Sequence, residues 1–207
     1  MFGKQPIQYQ DKIAKAFWRG RDSNENRLKL AKLGKQHPDL INASITNFFF
    51  FRDKIDEYGP GVAHVSLFEF FNYKYQLNID GTVSAYRFPY LLAGNSLVLK
   101  QQSKFYEFFY NQLVPGQHFI PVDLRLDNLI DLLSNLTNSS ENETELRIIE
   151  NARQFVLNNL LPEHIYCYYY NLLIGYAKKL KNNNFAMRTE AIEDKAKCKC
   201  KRTKDEL

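Results

Sequence analysis

Residues 75–101, YQLNIDGTVSAYRFPYLLAGNSLVLKQ, constrain the fold more than any other stretch. The run 75–79 reads as a buried strand, Asp80-Gly81 as a tight turn, 82–92 as a helix, Gly94-Asn95 as its stop and 96–100 as a second strand. That is a β-α-β unit. The turn after its first strand presents a helix N-terminus, whose unpaired N–H groups and positive dipole end suit a phosphate. Gly81 lets backbone and ligand approach closely. Arg87, one to two turns into the same helix, could add a full charge and a guanidinium fork. On spacing alone a plain α/β crossover explains the stretch more simply, because one Gly at a strand-helix turn is not the Gly-rich fingerprint of dinucleotide folds.

A second unit of the same kind precedes it. Residues 14–19 read as a strand, 20–24 (GRDSN) as a loop, and 25–35 as a helix capped by Ser23 or Asn24, with Leu28, Leu30 or Ala31, and Leu33 on its apolar face. Arg21 and Arg27 lie at its mouth, where they would either hold an anion or face water. A strand at 39–45, an aromatic run at 48–51 and a helical pattern at 65–73 come next. After the central unit come a Tyr/Phe-rich helix at 104–111, a compact strand at 118–122 and helices at 126–136, 143–161 and 162–180, the last opened by Pro162. Leu146, Ile149, Ala152, Val156 and Leu160 give the second of these one apolar face. These strands alternating with helices describe one parallel α/β layer. The expected division is a loose segment at 1–13, a Rossmann-like domain with C-terminal helices at 14–180, and a basic tail at 181–207.

The net charge of +5 invites a nucleic-acid reading until it is divided along the chain. Residues 1–37 carry nine Lys/Arg against three acids, 38–177 nine against fifteen, and 178–207 ten against five. The centre is acidic, so no nucleic-acid partner is expected. No apolar run approaches the roughly 20 residues that a membrane span needs. The opening residues lack the apolar core of a signal peptide, yet Lys204, Asp205, Glu206 and Leu207 form the terminal tetrapeptide that retrieves proteins to the endoplasmic reticulum lumen. A lumenal address without an entry signal leads to the expectation of a missing N-terminus. Sequons at Asn42, Asn135, Asn138 and Asn142 are glycosylation candidates of the same compartment, the last three lying in an Asn/Ser/Thr-rich loop that is equally a polar linker.

Several ordered motifs together carry a family resemblance: FWRGRDS at 17–23, NFFFF at 47–51, YKYQLNIDG at 73–81, AYR at 85–87, EFFY at 107–110 and HFIPV at 118–122. The chain resembles the protein O-glucosyltransferases, closest to their KDEL-motif-containing subgroup. That resemblance implies an α/β fold: a Rossmann-like parallel sheet with flanking helices, the C-terminal, donor-binding half of a GT-B enzyme. It implies transfer of glucose from UDP-glucose to a serine of EGF-like repeat proteins, with the KDEL receptor as a further partner. The family's catalytic Asp belongs to the other half, so no catalytic residue is assigned here and activity of the chain alone is not expected. A non-catalytic lumenal binding or remnant protein is the alternative.

In the family the donor site is formed by the segments corresponding to Arg21 and Arg27 and to Thr82, Val83, Ser84, Ala85, Tyr86 and Arg87. Residues 82–85 would offer N–H and hydroxyl donors to the diphosphate, while Arg87 and Arg27 would neutralise charge on the UDP leaving group. Arg21 stands where other relatives have Ser. The sequence contains no Asp-x-Asp, so neither metal nor other cofactor is expected. Glu107 reads as an exposed helical residue and His118 as a strand-end packing residue. The segment 165–168 resembles the one whose Cys bridges to the family's N-terminal region, which implies that Cys167 finds no partner within this chain.

Overall fold

The computed structural model describes residues 7–139 and 142–180. Five strands, β1 (Ile13–Gly20), β2 (Ile41–Ile45), β3 (Tyr73–Asn78), β4 (Leu97–Gln101) and β5 (Ile120–Val122), form one sheet of order β2-β1-β3-β4-β5. All pair in parallel. The run 118–122 expected as a strand narrows to the three residues of β5, which pair with β4. The helices are α1 (Glu25–Gln36), α2 (Ile55–Tyr58), α3 (Phe88–Leu92), α4 (Leu129–Asn138), α5 (Asn142–Asn159) and α6 (Pro162–Lys179).

Alternation along each strand sorts side chains onto two faces. One is a closed apolar core: Ala16 and Trp18, Tyr75 and Leu77, Leu97 and Leu99, and Val122 pack with Leu28, Leu30 and Ala31 of α1 and Leu129 and Leu133 of α4. Gly34 lets α1 lie directly on β2, since a Cβ there would sit 2.9 Å from the Ala43 carbonyl oxygen. The other face carries Phe17, Arg19, Gln76, Asn78, Val98 and Lys100. It is covered by aromatic rings: Phe70 meets Phe17 edge-on at 4.9 Å, and Phe88, Tyr110 and Phe119 surround the Lys100 ammonium at 5.5, 4.6 and 5.9 Å.

Three sequence-based helices are altered. The 65–73 pattern is a 3-10 helix, Leu67–Asn72, that runs straight into β3. The 104–111 segment is a series of turns with one 3-10 turn at Tyr110–Gln112. Consecutive Phe109 and Tyr110 both pack on Phe88, which a helix would prevent by pointing neighbours about 100° apart. The third, 82–92, shrinks to α3 because Pro89 falls in its interior. There it would lack an N–H and clash with the carbonyl of Ala85, so the helix starts only where Pro89 fits its first turn.

The chain divides into two compact units at Phe155/Val156. In the second unit no residue of α6 is buried, and Tyr166, Tyr170, Leu173 and Tyr176 are all more than 60% exposed. Cys167 on α6 is disulfide-bonded, which overturns the expectation that it finds no partner within this chain. Cys198 and Cys200, the tetrapeptide 204–207 and the expected tail lie outside the described residues. So does the side chain of Asn142, while Asn135 and Asn138 are exposed on α4. Asn42 is differently placed: on β2, its amide donates to the Tyr73 hydroxyl at 2.8 Å and accepts from Arg19 Nη2 at 2.7 Å.

At the N-terminal edge of the sheet, buried Lys12 donates to the Phe71 carbonyl and, at 2.8 Å each, to Asn95 Oδ1 and Ser96 Oγ. Burial pushes its ammonium down to about 8 from an ordinary 10.5. A folded-state value below the unfolded one means that between these two pH values the unfolded chain binds more protons, so this group's contribution to stability rises with pH across the window. Denaturant titrations should show wild type gaining about 3 kcal/mol relative to Lys12→Met between pH 8 and 10.5. A constant difference across that range would contradict the assignment.

Candidate functional site

The chain leaves β1 for β2 on one side and reaches β3 on the other, so the sheet's topological switch point lies between β1 and β3. In open α/β sheets ligands bind in the crevice beyond the strand ends at that point. Here a cavity of about 750 Å³ opens, bounded by Arg19, Arg21 and Arg27 in the middle, Thr46 and His64 on the β2 side, and 81–87 with Tyr90 on the β3 side. Both turns singled out in the sequence line it.

Arg27 builds the crevice floor. Its Nε donates to the Asp80 carbonyl at 2.8 Å, Nη2 to the Ile79 carbonyl at 3.1 Å, and Nη1 to the Arg21 carbonyl and Ser23 hydroxyl at 3.1 and 3.2 Å. The side chain that the family resemblance assigns to neutralising charge on UDP thus spends four of its five N–H donors on joining the β1 and β3 loops. One N–H of Nη2 remains. Burial, with Arg87 nearby, pushes the guanidinium down to about 10, so it stays charged at neutral pH. Gly81 leaves room for it, since a Cβ would stand 3.1 Å from Arg27 Nη2. Asn24 repeats the link: its Oδ1 caps α1 by accepting from Arg27 N–H, and its Nδ2 donates to the carbonyls of Asp80 and Gly81 at 3.0 and 2.8 Å.

On the β3 side, Thr82, Val83, Ser84, Ala85 and Tyr86 form an irregular loop, so no helix N-terminus faces the crevice at Gly81. Ser84 donates its hydroxyl to Glu107 Oε1 at 2.6 Å, which leaves Glu107 half-buried and outside any helix, contrary to its reading as an exposed helical residue. Arg87 donates one Nη1 bond to the Arg19 carbonyl at 2.7 Å and lies over the Phe70 ring at 5.4 Å. Burial lowers its pKa. Arg87 and the exposed Arg21 both line the cavity. Four arginines and no carboxylate residue make up the charged lining, and none of the four forms an ion pair among the described residues. His118 accepts from the Val114 N–H at 2.9 Å and packs on Phe155, well apart from this lining.

Sequence reasoning passed over Asp22. Its fully buried carboxylate accepts the consecutive backbone N–H groups of Phe49, Phe50 and Phe51 at 2.7 to 2.9 Å. This fixes the aromatic loop after β2 to the loop that carries Arg21 and Ser23. The signal was present, an acid between two site residues, but only the fold brings the NFFFF segment to it. Arg19, Thr46, His64 and Tyr90 were likewise unassigned.

The chain matches glycosyl transferase family 90 over residues 2–206. It belongs to that family. Protein O-glucosyltransferase 2 of Danio rerio is 44% identical over 96% of the chain, and Protein O-glucosyltransferase 3 of Homo sapiens 42% identical over 94%. Protein O-glucosyltransferase 1 of Homo sapiens is more distant, at 33% over 84%. The chain spans about two fifths of the length of the first two, 41% and 39%. Among solved structures, the crystal structure of a GtfA/B complex superposes with a TM-score of 0.55 over 83% of this chain and 38% of that one, at 13% identity. That likeness is one of fold, and the fold is the Rossmann-like parallel α/β layer expected of this glycosyltransferase family.

Replacing Asp22 by Ala would leave three N–H groups without their acceptor. The expected cost is about 2 to 4 kcal/mol in chemical denaturation, with a smaller loss for Asp22→Asn, which keeps one carbonyl acceptor. An Asp22→Ala protein as stable as wild type would show that the carboxylate does not hold the loop.

Proposed function

We propose that this chain is the donor-binding part, for UDP-glucose, of a protein O-glucosyltransferase of the endoplasmic reticulum lumen that glucosylates serine in EGF-like repeats. The observation that carries this reading is the arginine-lined crevice at the sheet's switch point. A diphosphate needs compensating charge and many donors, and Arg21, Arg87, the last N–H of Arg27 and the peptide groups of 82–85 supply both around one cavity. The family's relatives support the class of transfer, and the terminal tetrapeptide supports the lumen. No helix among the described residues is long and apolar enough to cross a membrane.

In this reading the serine oxygen attacks the anomeric carbon as its proton passes to a base, and the bond from that carbon to the diphosphate oxygen breaks. Charge then builds on UDP, where the arginines stabilise it without a metal. Ser84, whose proton is committed to Glu107, accepts or positions rather than donates. The base belongs to a domain outside this chain, so the chain binds donor but does not transfer.

Calorimetric titration tests the site. UDP should bind wild type equally with magnesium or chelator, and Arg87→Ala should weaken binding roughly ten- to a hundredfold, the loss of a charged contact worth about 1.5 to 3 kcal/mol. Unchanged affinity in a folded mutant would remove Arg87 from the site. Strict dependence on magnesium would refute metal-free charge neutralisation, and glucosylation of an EGF-like repeat by the chain alone would place the base within it.

A further inference from the structure

We propose that Asn42 is a positioning residue for donor binding, which holds the guanidinium of Arg19 at the crevice as a fourth positive charge for the diphosphate. The inference rests on the reading of the crevice as a sugar-nucleotide site and deepens it.

Arg19 stands at the end of β1 and lines the crevice together with Arg21, Arg27 and Arg87. Side chains alternate along a strand, so Phe17 and Arg19 share one face of the sheet, and the parallel register sets Asn42 of β2 beside Phe17. From there Asn42 reaches Arg19. The Arg19 Nη1 donates to the Trp18 and Asn42 carbonyls at 2.9 Å each, and its Nη2 donates to Asn42 Oδ1 at 2.7 Å. Of these three acceptors only Oδ1 belongs to a side chain. The guanidinium carbon also lies 4.5 Å from the centre of the Phe17 ring.

Tyr73 turns the amide oxygen toward Arg19. It belongs to β3, on the other side of β1 from β2, and its ring stacks on Phe17 at 4.2 Å and 16°. Its hydroxyl thereby reaches Asn42 and accepts from Nδ2 at 2.8 Å. With the nitrogen engaged by Tyr73, the oxygen is left for the guanidinium; an apolar side chain of the same shape offers neither atom. All three oxygens that hold Arg19 are neutral, and Arg19 forms no ion pair among the described residues, so its charge is not cancelled by a carboxylate. Two of its five N–H donors are also left over. Arg87 is tied to the same place, since its Nη1 donates to the Arg19 carbonyl at 2.7 Å. A diphosphate takes up both charge and donors.

The test titrates UDP by calorimetry into wild type, Arg19→Ala, Asn42→Ala, Asn42→Asp and the double variant Arg19→Ala/Asn42→Ala, with thermal melts to establish that each is folded. Arg19→Ala should weaken binding roughly tenfold or more, as expected for a lost charged contact, and Asn42→Ala about three- to tenfold. The double variant should bind no more weakly than Arg19→Ala alone, because Asn42 acts only through Arg19. Asn42→Asp keeps an oxygen for Nη2 while the Tyr73 hydroxyl turns to donate to the other oxygen, so it should bind UDP more tightly than Asn42→Ala. A residue that serves only the fold would lower the melting temperature of Asn42→Ala and leave the affinity intact, which overturns the proposal. Unchanged affinity in Arg19→Ala also overturns it, as does a double variant in which the two losses multiply. Where Asn42→Ala does not fold, Arg19→Ala, which leaves Asn42 and Tyr73 paired, still decides. Wild type that does not bind UDP overturns the donor-site reading and this inference with it, whereas the other outcomes leave that reading standing.

Discussion

The guanidinium of Arg27 is the interaction on which the rest of the site depends. Burying a cation is costly unless its donors are met, and this one meets four oxygens from two loops that are more than fifty residues apart in sequence. A lysine could not replace it, because one ammonium has three donors at a point whereas the guanidinium spreads five over a plane. The arrangement joins the ends of β1 and β3 where the sheet changes direction. It also leaves a permanent positive charge there, so one residue both shapes the crevice and sets its sign.

That charge is balanced from beneath. The Asp80 carboxylate stands between two buried cations, raising the pKa of both Arg27 and Lys100 against the lowering effect of their burial. Lys100 adds no ion pair of its own among the described residues. It is held by three aromatic faces, an environment in which ring quadrupoles replace part of the lost hydration. Gln76 and Asn78, on the same sheet face, keep their amides free of protein partners among the described residues. One face of the sheet is thus an ordinary apolar core, and the other trades packing for polar groups beneath the crevice.

The Asp22 carboxylate does for the β2 loop what Arg27 does for β3. Three successive peptide N–H groups turned toward one anion fix an aromatic segment whose Phe49 and Phe50 remain at least half exposed. With both neighbours tied to the β1 loop, the crevice is framed by fixed backbone on each side, and Arg21 and Arg87 line it.

Much of this was legible in the chain itself. Apolar runs bounded by turn residues located the strands within a few residues, and Asn24, Arg27, Gly81 and Arg87 stood out as features of two strand ends because turn chemistry and charge are local properties. What sequence could not supply was the use made of them. Gly81 makes room for the Arg27 guanidinium, Arg27 binds backbone carbonyls, and Asp22 and Glu107 have partners 27 and 23 residues away. The 82–92 segment was misjudged because a local helical pattern outweighed the single Pro89. Local sequence determined which residues lie at strand ends; only the parallel pairing of β2, β1 and β3 decided which of them meet, because hydrogen bonds between loops depend on strand order, and strand order is set by packing across the whole sheet.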